Sequence, residues 1–193
     1  MATRPATRCK AGDYSFLYFM HTIRIATDAD LPAITDIYAH YVLHSTASFE
    51  TEAPDLATMT ARYAEVLSRG MPYLVLEDGK GGVAGYAYCN WFKPRPAYRF
   101  SAENSIYLAP DAVGGGRGRA LLDALCEAAT QAGVRQLIAV IGGADNQASI
   151  RLHRGAGFAD AGIFKSSGWK FGQWLDVVLM QKPLGAGDTT APE

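Results

Sequence analysis

Cysteine is scarce in this chain, and what there is does not pair. The three cysteines, Cys9, Cys89 and Cys126, are odd in number and scattered. They match neither a disulfide framework nor a metal-ligand spacing. Charge of one sign is also lacking: 18 Lys and Arg stand against 19 Asp and Glu, a formal net charge of −1. No global field would gather nucleic acid or an anionic membrane. No apolar run approaches the roughly 20 residues of a membrane span. The four histidines, His21, His40, His44 and His153, form no convincing ligand cluster. His40 and His44 stand one helical turn apart without an acidic third ligand, so no metal is expected. A reducing, cytoplasmic setting fits the cysteine usage best.

What is present is 193 residues, 49% hydrophobic, enough for one well-buried domain. Residues 1–21 read as a loose extension. Met1 to Phe19 is basic and then aromatic, but Asp13 interrupts it, and no small-x-small cleavage site follows. Met20, just before the first patterned segment, is a candidate translation start. The domain is expected over 22–183, and the small, polar residues 184–193 read as a disordered tail.

The pattern between these ends alternates strands and helices. Thr22 to Ala26 reads as a strand. A helix capped by Asp28 or Asp30, with Pro32 in its first turn, carries Leu31, Ile34, Ile37, Tyr38 and Tyr41 at helical spacing. Asp55 caps a second helix, Leu56 to Arg69, that ends at Gly70. Tyr73 to Glu77 and Val83 to Asn90 read as a hairpin around a glycine-rich turn. Ser105 to Ala109, Gln136 to Ile141 and Trp174 to Gln181 are further strands, and Asn146 to Gly155 is a short helix. This is a mixed α/β layer structure.

The most informative stretch is Val113-Gly114-Gly115-Gly116-Arg117-Gly118. It lies between a strand and a long helix that ends at Gly133. Glycines let the backbone approach a ligand closely. The helix start presents free N–H groups and a positive dipole end, a seat for a phosphate. Two common phosphate loops are excluded. Gly118 is followed by Arg119-Ala120 rather than Lys-Ser/Thr, and the glycine spacing does not fit G-x-G-x-x-G.

A second motif follows at a fixed distance: Asn146, Ser149, His153, then Gly157-Phe158. With these two motifs in this order the chain resembles the GNAT acyl-CoA N-acyltransferases, whose phosphate loop is Q/R-x-x-G-x-G/A. Val113 departs from the polar first residue. Thr46 to Glu50, Trp91 with Arg95 to Tyr98, Ala102 to Tyr107, Ala148 to His153 and Trp169 to Asp176 narrow the resemblance. They look like the phosphinothricin acetyltransferase branch, which includes enzymes acting on methionine sulfone and sulfoximine. The likeness covers roughly residues 22–182. It implies a mixed, mostly antiparallel sheet flanked by helices, with acetyl-CoA bound where central strands splay.

What the resemblance implies for individual residues can be set out in the same numbering. Ile106, Tyr107 and Leu108 would lie along acetyl-CoA, and a backbone N–H in Tyr107–Leu108 could stabilise the oxyanion. Val113, Gly114, Gly115, Gly116, Arg117 and Gly118 would hold the pyrophosphate, and Asn146 the arm of the cofactor, although Asn146 also reads as a helix cap. Arg117 and Arg119 pair with phosphates or merely cover the helix start. Glu103 is the candidate general base, directly or through a water, provided it is partly desolvated. His153 would protonate the departing thiolate, assist deprotonation of the amine, or simply pack against the sheet. Lys93, Arg95 and Arg99 are candidates for a substrate carboxylate. Phe49 and Tyr98 would wall the substrate pocket, and Asn104 joins the substrate candidates.

The implied reaction is acetylation of the free amine of a small amino-acid analogue. Other amines (a polyamine, an aminoglycoside, a protein N-terminus) and a non-catalytic acyl-CoA-binding regulator remain as alternatives. The cationic loop disfavours a polyamine. A homodimer is expected from the family. The aromatic Phe164 to Trp174 segment reads as an interface patch or an active-site lid.

Overall fold

A computed structural model of the chain describes residues 16–18 and 21–192. The expectation of a loose extension therefore falls mostly outside the described residues. The elements run β1 (Phe16–Tyr18), β2 (His21–Ile25), α1 (Leu31–His44), α2 (Leu56–Ser68), β3 (Tyr73–Glu77), β4 (Val83–Trp91), β5 (Ser101–Leu108), α3 (Arg117–Gln131), β6 (Gln136–Gly142), α4 (Gln147–Gly155), β7 (Ala159–Lys170) and β8 (Gln173–Pro183).

Local chemistry explains where these begin and end. The Asp55 carboxylate accepts the Thr58 N–H at 2.8 Å and starts α2. The Asp78 carboxylate accepts from the N–H groups of Lys80 and Gly82, closing the β3–β4 turn. In α3, Leu121, Leu122, Leu125 and Ala129 recur on one face and are fully buried. Gly133, at φ +85°, ends the helix in the left-handed region.

The strands form one sheet in the order β1-β2-β3-β4-β5-β6-β8-β7. Every pairing is antiparallel except β5 with β6. The architecture is the mixed, mostly antiparallel sheet with flanking helices that the resemblance implied. Strand alternation sorts β4 to two faces. Tyr86 and Tyr88 stack near Tyr73, and Tyr86 also meets Tyr107, while Tyr38 and Tyr41 of α1 pack on Tyr107. Ala87 and Cys89 point the other way, where Cys89 lies near Cys126 of α3. Both cysteines are buried and free.

One segment differs from expectation. The final strand is the second arm of a long hairpin, and its first arm, β7, is not evident in the sequence pattern. Nearly all of β7 is exposed, so no apolar alternation marks it. After β8, Leu184 is buried, and Arg135 donates to the Gly187 carbonyl and the Thr190 hydroxyl, each at 2.8 Å.

Candidate active site

The parallel pairing of β5 and β6 is short. It runs from Ser101↔Gln136 to Asn104↔Ala139 and stops. Beyond it the antiparallel partners on either side continue, β5 with β4 to Leu108 and β6 with β8 to Gly142. The sheet therefore splits between β5 and β6. Ser101 O accepts from Phe92 N–H and Ala109 N–H donates to Ala84 O. Odd-numbered residues of β5 thus turn their backbone groups to β4, and even-numbered ones toward β6. Ile106 and Leu108 then present N–H and C=O groups to the split with no strand opposite. Buried backbone polar groups demand partners. One finds a side chain: the Tyr41 hydroxyl donates to Leu108 O at 2.8 Å.

The split opens into a cleft of about 560 Å³. One wall is Asn104 to Leu108, another is the glycine turn, and α4 supplies Asn146, Ser149 and His153. Gly114, Gly115 and Gly116 have φ of +103°, +59° and +77°, a run that only glycines adopt without strain. A Cβ on any of them would meet nothing within 4 Å, so the turn faces open space. Gly116 precedes α3 without a side-chain cap. Among the described residues the N–H groups of Gly118 and Arg119 have no backbone acceptor. This is an anion seat by geometry. Val113 beside it is exposed. Arg117 donates to Ala112 O at 3.3 Å, and Arg119 is engaged by Asp123 and the Gly155 carbonyl.

Asn146 caps α4, its Oδ1 accepting from the Ser149 N–H at 3.3 Å, and it also lines the cleft. His153, in the last turn of the helix, is buried. Its Nδ1–H donates to Ser149 O at 2.9 Å, and its Nε2 lies 2.9 Å from Asn104 Nδ2. Burial pushes the imidazole pKa down, opposed by the bond to Ser149. Both ring nitrogens of a neutral His153 are thus engaged.

Glu103 precedes Asn104 and so faces the opposite side of the sheet. It pairs with Asn90 in register and lies near Tyr88, whose phenol pKa is raised chiefly by burial and further by the Glu103 charge. Desolvation raises the Glu103 carboxyl above the usual carboxylate range, and the Lys93 ammonium partly counters it. The structure therefore places Glu103 and His153 on opposite faces, with the split in the sheet beginning just past Asn104. Lys93, Arg95 and Arg99 are exposed on the loop before β5. Lys93 sits over Phe92 and Arg99 over Phe100, the latter at 4.3 Å. Arg95 makes no side-chain hydrogen bond among the described residues. Tyr98 is exposed against Phe92.

Phe49 rests over Gly168 of β7, where a Cβ would collide with its ring, and beside Gly142 of β6, where a Cβ would collide with the Thr46 carbonyl and crowd the ring. Its loop is fixed from below by Lys170, whose Nζ donates to Ser45 O and Ser48 O. Sequence reasoning named neither Lys170 nor the cleft residues Tyr41, Thr46, Asp145 and Leu152 as site residues, because no local motif marks a contact made across the sheet. Among the described residues, no three His, Cys, Asp or Glu side chains gather as metal ligands, and no helix is long and apolar enough to cross a membrane.

A split sheet beside a glycine turn at a helix start defines a class of protein that seats a phosphate-bearing ligand between two strands. The chain matches the Acetyltransferase (GNAT) domain over residues 23–179 and belongs to that family; it is an acyltransferase. A phosphinothricin N-acetyltransferase of Alcaligenes faecalis is 56% identical over 173 residues, 89% of this chain and 87% of the relative. An L-methionine sulfoximine/L-methionine sulfone acetyltransferase of Salmonella typhimurium is 39% identical over 163 residues, covering 84% and 94%. The crystal structure of a GNAT superfamily phosphinothricin acetyltransferase from Sinorhizobium meliloti in complex with acetyl-CoA superposes with a TM-score of 0.88. That protein is 47% identical, over 91% of this chain and 94% of that one.

Proposed function

We propose that this enzyme transfers the acetyl group of acetyl-CoA directly to the free amine of a small amino-acid analogue of the phosphinothricin, methionine sulfone or methionine sulfoximine type. The observation that carries the reading is the split between β5 and β6, with unpaired strand groups on one side and the glycine turn at its mouth. The pyrophosphate would sit on the N–H groups of the glycine turn and the start of α3. The arm would pair with the free edge at Ile106 and Leu108, and Asn146 would hold it from α4.

Glu103, desolvated on the far face, is the general base. It takes the ammonium proton, directly or through a water, and the free amine attacks the thioester carbonyl. The tetrahedral oxyanion accepts a hydrogen bond from the Ile106 N–H, the first backbone donor past the last β5–β6 pair that faces the split. Collapse breaks the C–S bond and releases the thiolate, and the second proton of the former ammonium passes from the new amide nitrogen to solvent. A thiol pKa near 8.5 makes that leaving group stable enough to be protonated by solvent. The neutral, doubly bonded His153 supports a positioning role more than the role of acid. Arg95, whose guanidinium makes no side-chain hydrogen bond among the described residues, would bind the substrate carboxylate in bidentate fashion, with Lys93 and Arg99 beside it and Phe49 as the wall.

The exposed Phe164, Trp169, Phe171 and Trp174 of the β7–β8 hairpin support a homodimer, and the free, buried Cys89 and Cys126 support a reducing, cytoplasmic setting. The test is thiol release from acetyl-CoA against phosphinothricin, methionine sulfone, methionine sulfoximine, spermidine, an aminoglycoside and a short peptide. Saturable turnover confined to the amino-acid analogues is expected. Turnover only with the other amines would overturn the substrate class. Acetyl-CoA binding without any turnover would point to a regulator.

A further inference from the structure

Asn104 is a buried side chain that is only half satisfied. It is 7% exposed, and its Oδ1 has no hydrogen-bond partner among the described residues. Its orientation is fixed by the histidine beside it. The Nδ1 of His153 lies 2.9 Å from Ser149 O, an acceptor, so Nδ1 carries the proton. Nε2 then offers a lone pair, and the atom 2.9 Å away must be the Asn104 amide nitrogen. The reverse orientation would bring two acceptors together. His153 therefore holds the amide with Oδ1 turned away from the ring, and Asn104 lines the cleft. An unpaired acceptor at a buried position is costly to keep, and such groups mark places completed by a ligand.

Its place in the cleft indicates which ligand atom. Asn104 belongs to the last β5–β6 pair, at the closed end of the split. The glycine turn lies at the other end. A ligand with its pyrophosphate on the glycines has its thioester at the closed end, and the nearest N–H on its arm is the secondary amide two carbons from sulfur. We propose that Asn104 Oδ1 accepts this amide N–H of the acyl donor, and that His153 acts as a positioning residue that turns Oδ1 toward it. This rests on acetyl-CoA being the co-substrate, and it assigns Asn104 to the acyl donor rather than to the amine.

The test compares acetyl-CoA with an analogue in which that amide is an ester, by calorimetric titration. Wild type is expected to bind the amide donor about tenfold more tightly. Asn104→Ala should bind the two within about twofold of each other, and His153→Phe should narrow the preference because the amide is freed to turn. Equal binding of the two donors by wild type overturns the proposal whether or not the variants fold. Undiminished preference in Asn104→Ala overturns it too, as does a rise in KM confined to the amine. Failure of wild type to bind acetyl-CoA at all would overturn the functional reading and this assignment with it.

Discussion

The Lys170 ammonium donates to the backbone carbonyl of Ser48 at 2.6 Å, across 122 residues of sequence. It donates also to Ser45 O at 2.8 Å and is itself 3% exposed. A single cation thus pins both ends of the turn that carries Phe49 onto the end of β7. Lys170→Met keeps the apolar stem and removes the ammonium. Lost charge-assisted bonds, offset by the relief of a buried charge, should cost about 1–3 kcal/mol, seen as a lower Tm. The amine KM should rise more than the acetyl-CoA KM, because Phe49 loses its fixed position. An unchanged melting curve with both KM values intact would dismiss this role.

Glu103→Gln is expected to lower kcat by about 10² to 10⁴-fold without unfolding the protein. The raised Glu103 pKa also predicts the acid limb of the kcat/KM profile above the ordinary carboxylate range, and loss of that limb in the Gln variant. The sign for stability is opposite. A folded-state carboxyl pKa above its unfolded value contributes stability below the ordinary pKa, and that contribution is lost as pH rises through the folded value. At neutral pH the ionised carboxylate therefore works against folding, so Gln should leave Tm unchanged or higher. A lower Tm at neutral pH would show that Glu103 is a structural group.

His153 has a lowered pKa from burial, so the folded state binds its proton less readily than the unfolded chain does. Its neutral form contributes stability that is fully present above the ordinary histidine pKa near 6.5, and that is lost as pH falls toward the folded value. Denaturant melts between pH 7.5 and pH 5 should show the wild type losing more stability than His153→Gln over that interval. Parallel pH dependence in the two proteins would mean that the imidazole is not held neutral.

The glycine turn and the α4 cap were legible because each is local. Three successive positive φ values require glycine at 114–116, and Asn146 needs only the next turn of backbone to act as a cap. The desolvation that Glu103 requires was likewise an expectation, and its raised pKa agrees with it. The Asn104–His153 contact was not legible, since it joins residues 49 apart through the packing of α4 on β5. Neither was the early end of the β5–β6 pairing, which depends on where two strands diverge and not on what either contains. Strand β7 escaped because Ala159 to Lys170 buries only its last residue, so no period-two pattern of apolar side chains exists to be read.

Outside the cleft lining, Arg24 of β2 forms a two-pronged pair with Asp30, both contacts at 2.8 Å, and reaches Glu77 of β3 at 2.7 Å. Asp30 is buried and also accepts from the Thr27 N–H and hydroxyl. Its pKa falls to about 2, chiefly through the bond from Arg24. The depressed value means that its contribution to stability is present above the ordinary carboxylate pKa and is lost as pH falls toward about 2. Arg24→Met would strand a buried carboxylate, at a cost of about 3–5 kcal/mol, while Arg24→Met with Asp30→Asn should recover part of it. Urea melts at neutral pH measure both. Acid titration of the wild type should show the loss between the ordinary carboxylate range and about pH 2, and in Arg24→Met that acid loss should shrink or reverse, since the buried carboxyl is no longer held down by its guanidinium. Equal stability of the single and double variants would show that the pair contributes through packing and not through charge.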